Sequence, residues 1–263
     1  IRIDHPDGLR DPEQYFYRLR DLAPDAWIVV EKILHPGEAL PETWPVEGTT
    51  GYDFLNQVGG LFIDPAGEKP LTELYAAFTG EPADYPAQAR EKKLQVLKEL
   101  LGSDVNRLTE SMMRICERHR RFRDYTRSEV REALREAAAC FPVYRTYVRP
   151  QIGGVREEDR RIIGQAVADA ASNRPDIAPD LFDFIEDLLL LEKKGDSETD
   201  FAMRFQQLTG PVAAKGIEDT MFYCFNRFSA LNEVGGDPSR FGMTVSAFHK
   251  AMSEAHRRHP SAM

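Results

Sequence analysis

The chain has 263 residues, 42% apolar and 29% charged, enough to bury a sizeable core in one large domain or in part of a barrel joined to a smaller helical domain. Its net charge of −9 opposes broad binding to nucleic acid or to anionic membrane surfaces, because an acidic field repels both. Cys116, Cys140 and Cys224 are odd in number and lack Cys-x-x-Cys spacing, which disfavours a disulfide framework or zinc ribbon and fits a reducing cytoplasm, while the apolar run Leu188 to Leu191 is far too short to span a bilayer.

Ile1 and Ile3 alternate with Arg2 and Asp4, the pattern of a strand with one apolar and one charged face. His5-Pro6-Asp7-Gly8 cannot continue it, since proline removes a donor and Asp-Gly favours a turn, so Asp4 stands at the strand's C-terminal end. Ile1 is not Met and lies inside this strand, and the chain is therefore expected to be an excised piece. Asp11-Pro12-Glu13 starts a helix with an apolar face of Tyr15, Phe16, Leu19 and Leu22, and Pro24 ends it. Trp27-Ile28-Val29-Val30 reads as a fully buried strand ending in Glu31. Strand, helix and strand form one βαβ unit of a parallel barrel or a doubly wound sheet, with Asp4 and Glu31 on the same rim.

Residues 35–45 carry three prolines and Gly37 and predict a loop, and Gly48-Thr49-Thr50-Gly51 opens a different region. From Tyr52 onward the spacing predicts helices. Leu94, Leu97 and Leu101 share a face, as do Val105, Leu108, Met112 and Ile115, and Phe201, Phe205, Leu208 and Val212. Thr126 with Glu129 predicts a capping box, Pro175 and Pro179 separate a helix near 162–170 from one near 181–191, and a last helix is expected at about 244–256. Arg114, Arg118, Arg120, Arg121 and Arg123, with Glu117 and Asp124 interleaved, read as a solvated helix face. Gly59-Gly60 and Gly153-Gly154 lack the lysine of a phosphate-cradling loop, and His256-x-x-His259 offers too few ligands for a metal. No metal or cofactor is implied.

Two carboxylates ending adjacent strands suit glycoside chemistry, one as nucleophile and one as general acid. Strand-end acids are commonly just solvated or ion-paired, which is the competing reading. Arg2, two residues before Asp4 on the same strand face, can hold that carboxylate ionised and oriented, as a nucleophile requires.

Arg2 to Pro12, Val30-Glu31-Lys32-Ile33-Leu34, Gly48 to Asp53, Lys215-Gly216-Ile217-Glu218-Asp219-Thr220 and Asn232-Glu233-Val234-Gly235-Gly236 together resemble the maltooligosyltrehalose synthase family, in the alpha-amylase superfamily of glycoside hydrolases. The resemblance runs from Ile1 to the C-terminus. It implies a mainly α chain with two parts: residues 1–47 as a βαβ remnant of a (β/α)8 barrel (strand 4, helix, strand 5), and residues 48–263 as a helical insertion or lid. It implies Asp4 as nucleophile, Glu31 as general acid/base and Arg2 as the arginine beside the nucleophile, in an isomerase of trehalose biosynthesis. The partners implied are a maltooligosaccharide substrate and the rest of the chain's own barrel, with no nucleic acid and no membrane. No histidine here is followed by an acid, so the superfamily's third catalytic carboxylate is expected outside this chain.

His5 is a candidate for a sugar hydroxyl, against the alternative of filling a turn, and Tyr52 for stacking on a glucose ring, against a place in the core. Lys215 and Glu218 are candidates for substrate contacts, against a helix-terminus salt bridge. Two further readings stay open: a non-catalytic helical structural or sugar-binding module, and another alpha-amylase-type hydrolase or glucanotransferase. The chain alone is expected to fold through its helices and to be inactive, because two strands close no barrel.

Overall fold

β1 (Arg2–Ile3) and β2 (Val29–Val30) pair in parallel, and β3 (Gly48–Thr49) adds in parallel to the other side of β2. The computed structural model describes residues 1–150, 155–260 and 262, so Gly153 and Gly154 lie outside the described residues. Val29 N–H donates to the Ile1 carbonyl at 3.0 Å, Glu31 N–H to Ile3 at 2.8 Å and Thr50 N–H to Val30 at 3.0 Å, so the ladder reaches one residue past each assigned strand end. Parallel neighbours need a crossover, and α1 (Pro12–Leu22) supplies the first. Asp11 caps it by accepting from Gln14 N–H at 2.9 Å, Pro12 opens it, and the buried Phe16 packs on Trp44 with ring centres 4.8 Å apart. The second strand is shorter than the apolar run suggests. Trp27 is half exposed and lies outside it, following the turn at Pro24-Asp25. β3 has no counterpart in the expectations, because Gly-Thr carries no apolar alternation.

The chain divides into two compact units, residues 1–89 with 218–263, and residues 90–217. The first unit holds the sheet, α1, α2 (Tyr52–Leu61), α3 (Glu68–Thr79) and the start of α4 (Tyr85–Glu99). The regular elements of the second, among its described residues, are all helices: the rest of α4, then α5 (Gly102–Arg118), α6 (Arg127–Ala139), α7 (Glu157–Asn173), α8 (Pro179–Leu189) and α9 (Asp196–Ala213). The chain then runs through a π-helical stretch, Ala214–Met221, and back into the first unit with α10 (Phe222–Cys224) and α11 (Val245–Arg258). The protein is mainly α-helical.

The expected stripes are the core of the second unit. Val105, Leu108, Met112 and Ile115 of α5 and Phe201, Phe205, Leu208 and Val212 of α9 are all buried in one apolar cluster with α6, α7 and α8. Thr126 and Glu129 form the reciprocal capping box that starts α6, with contacts of 3.2 and 2.8 Å. The arginine stretch is not one helix face. α5 ends at Arg118, and Arg121 turns to pair with Asp180 at 3.4 Å on α8. Gln206 of α9 uses both ends of its amide on the irregular segment beside it, accepting from Val148 N–H at 2.7 Å and donating to its carbonyl at 3.0 Å. In the first unit Tyr75 and Tyr85 meet Phe225 edge-on, each at 5.4 Å, over buried Ala89 and Met221. Among the described residues no helix is long and apolar enough to cross a membrane.

Candidate active site

The parallel register places Asp4, Glu31 and Thr50 just past the ends of β1, β2 and β3, so three side chains emerge along one edge of the sheet. Arg2 reaches back over this edge. Its Nε donates to Asp4 Oδ1 at 2.6 Å and its Nη2 to Glu31 Oε1 at 3.3 Å, so one guanidinium holds both carboxylates. The hydrogen bond to Asp4 and its charge, followed by the charges of Glu31 and Tyr52, raise the arginine above its ordinary value. Asp4 is open to solvent, with 68% of its side chain exposed, and Glu31 is more enclosed at 28%.

His5 adopts a left-handed conformation, φ 48° and ψ 52°, rare for a residue with a side chain. This turn aims its backbone N–H at Glu31 Oε2, 3.2 Å away, so each oxygen of Glu31 has its own donor from the β1 end. The His5 ring lies over Gly8, where a Cβ would come within 2.6 Å of it.

Beneath the edge lies a group that the sequence reading passed over. The Lys32 side chain is completely buried, with Nζ 2.9 Å from Glu38 Oε1, 3.4 Å from Asp7 Oδ2 and 2.7 Å from the Ile33 carbonyl. Burial alone would lower the ammonium's pKa, but Asp7 and Glu38 more than offset it and hold Lys32 protonated. Burial pushes Glu38 up, against the pull of Lys32. The sequence offers one hint of this group, a lysine directly after a buried strand, and nothing that pairs it with Asp7 or Glu38.

Tyr52 opens α2 directly after Gly51, whose φ of 98° suits only glycine there, and its phenol is near enough to act on Arg2 electrostatically. Asn56, one turn on, donates to the Tyr52 carbonyl at 2.8 Å and to the Val234 carbonyl at 3.0 Å. The next residue, Gly235, donates its N–H to Glu218 Oε1 at 3.2 Å, and a Cβ on it would meet Ile33 Cγ2 at 2.8 Å. Thus Arg2, Asp4, His5, Glu31 and Tyr52 come together, and Glu218 supports the Asn232 to Gly236 loop packed on Ile33. Lys215 is an exposed residue of the other unit, on the π-helical stretch.

A solved maltooligosyltrehalose synthase from Arthrobacter ramosus superposes with a TM-score of 0.84 at 37% identity, covering 98% of this chain and 31% of that one. The chain is similar throughout to maltooligosyltrehalose synthase. A Mycobacterium tuberculosis protein named for maltooligosyl trehalose synthase is 37% identical over 267 aligned residues, which take in all of this chain and 32% of that protein. The solved DSM5389 glycosyltrehalose synthase gives a TM-score of 0.71 at 31% identity over 96% of this chain and 29% of its own. This chain therefore spans about a third of the length of the relatives it matches. No family model matches it.

Proposed function

We propose that this chain carries two of the reacting carboxylates of a maltooligosyltrehalose synthase, an intramolecular transglucosylase that turns the reducing-end α-1,4 bond of a maltooligosaccharide into an α,α-1,1 bond. The observation that carries the reading is the Arg2 guanidinium shared by Asp4 and Glu31 at the ends of adjacent parallel strands. Retaining glycosidases place a nucleophile and a general acid close together, and a shared guanidinium keeps these two carboxylates near one another. On this reading residues 1–47 are the barrel portion and residues 48–263 the helical insertion.

The step begins with Asp4 attacking the anomeric carbon on the non-reducing side of the terminal bond. The glycosidic C–O bond breaks, and Glu31 gives its proton to the departing glucose oxygen. The freed glucose turns over, Glu31 takes the proton of its anomeric hydroxyl, and that oxygen displaces Asp4 with net retention. Water must be kept from the covalent ester, or hydrolysis wins. His5, Tyr52, Lys215 and Glu218 are the proposed substrate-side residues, with Glu218 acting through the Gly235 loop.

The test uses the full-length enzyme with maltopentaose. Asp4→Asn and Glu31→Gln are each expected to lower turnover by several orders of magnitude while leaving the melting transition in place, because the groups serve chemistry at a largely open edge. Near-normal turnover in either variant removes the assignment. Because the two carboxylates would equally serve a superfamily hydrolase or glucanotransferase, the products decide: a non-reducing trehalose end supports the synthase, and glucose or rearranged α-1,4 chains support the other reading.

A further inference from the structure

We propose that Lys32 is a positioning residue, which sets the separation and orientation of Asp4 and Glu31 by clamping the 5–8 turn onto the end of β2. The inference rests on the reading of those two carboxylates as the reacting pair. Lys32 directly follows Glu31, and successive side chains past a strand end point to opposite sides: Glu31 outward to Arg2, Lys32 inward to a closed polar nest. One of its partners, Asp7, is buried in the 3₁₀ turn Pro6–Gly8 that immediately follows Asp4 and His5. Another, Glu38, comes from the loop beyond, where its second oxygen accepts from His35 N–H at 3.0 Å.

The clamp closes a small ring through both catalytic strands. From Asp4 the chain runs through left-handed His5 to Asp7, across the ion pair to Lys32, and back one residue to Glu31, which the His5 N–H and Arg2 grip from the β1 side. A left-handed residue with a side chain persists only where its surroundings over-determine it. Here the surroundings are the Lys32 nest below and the Gly8 contact beside. If the nest opens, His5 loses its reason to stay left-handed, its N–H leaves Glu31, and the two carboxylates lose their common frame.

The experiment compares Lys32→Met with Lys32→Met/Asp7→Asn/Glu38→Gln in the full-length enzyme, using maltopentaose turnover and thermal melting. Lys32→Met strands two buried carboxylates and can lose folding for that reason alone, whereas the triple variant strands no charge. A misplacement of ~1 Å costs roughly a hundredfold in rate, so the triple variant is expected to melt cooperatively, keep KM within about threefold and lose about a hundredfold in kcat. Its pH–rate profile is also expected to shift, since the Arg2 and His5 contacts to Glu31 change. A folded triple variant with the parent's kcat and pH profile overturns the proposal, as does one in which KM rises while kcat stays. Asp4→Asn and Glu31→Gln run alongside: if these retain turnover, the reading of the site has failed, and if they are dead while the triple variant is fully active, the role of Lys32 alone has failed.

Discussion

Lys93 offers a test of how the second unit tolerates a buried charge. It is buried, with Nζ 2.8 Å from the Phe141 carbonyl, and desolvation depresses its pKa from 10.5 to about 8. At about 1.4 kcal/mol for each tenfold change in proton affinity, that depression puts the cost of keeping the ammonium charged on the order of 3 kcal/mol. Because the folded chain gives up this proton first, the unfolded state binds more protons between pH 8 and 10.5, and in that window stability rises with pH. Lys93→Met keeps the volume, removes the charge and loses one hydrogen bond worth about 1 kcal/mol. At pH 7 the variant is therefore expected to be roughly 2 kcal/mol more stable than the parent. Near pH 10 the advantage should have vanished or reversed. Cys116, pushed up to about 11 by burial, adds a fall in stability from pH 9 upward that is common to both proteins, whereas Cys140, also pushed up to about 11, acts on Lys93 through its charge, so the comparison is run with Cys140→Ala in both backgrounds. Urea unfolding at pH 7, 8, 9 and 10 measures that difference. A gap that stays constant from pH 7 to 10 would refute the reasoning.

Gly216→Ala is expected to destabilise by roughly 1–3 kcal/mol, because its Cβ would sit 2.9 Å from Lys93 Cα and 3.1 Å from Lys93 N, backbone atoms that cannot swing aside. An unchanged urea midpoint would show that the π-helical stretch can shift to make room. Gln206→Leu orphans both the N–H and the carbonyl of Val148, at a cost of roughly 3 kcal/mol, which equilibrium unfolding reads directly. A cost below about 1 kcal/mol would mean that water reaches both groups.

Helices were legible because their signals are local. The capping box at Thr126 and the apolar stripes of α5 and α9 need only three- and four-residue spacing, and the last helix, expected at about 244–256, runs Val245–Arg258 behind a Thr244 cap. The strand edge was legible in its ends and not its extent. Ile3 and Val30 fall in strands, but Trp27 does not, since a residue's apolar character does not say whether a neighbour covers it. β3 escaped because its pairing comes from register with β2 rather than from any property of Gly48 and Thr49. Alternation puts Arg2 and Asp4 on one strand face and the apolar run before Glu31 puts it at a strand end, but spacing alone leaves ordinary ion-paired carboxylates as the competing reading. The Lys32 nest could not be read, because its two acids, Asp7 and Glu38, come from separate turns, and no short spacing announces that pairing.

Chain order has a consequence for synthesis on the ribosome. Residues 90–217 form an uninterrupted helical unit, whereas the first unit is written in two instalments on either side of it. The bond from Asn56 to the Val234 carbonyl joins groups 178 residues apart, and the Glu218 grip on Gly235 forms only once the second instalment has emerged. Contacts of such long range are slow to form, while neighbouring helices find one another quickly. The helical insert is thus expected to be folded before the loop behind Tyr52 exists as polypeptide. A nascent chain stalled before residue 218 would then hold a finished helical unit while the Val234 to Gly236 loop that Asn56 and Glu218 hold is still missing.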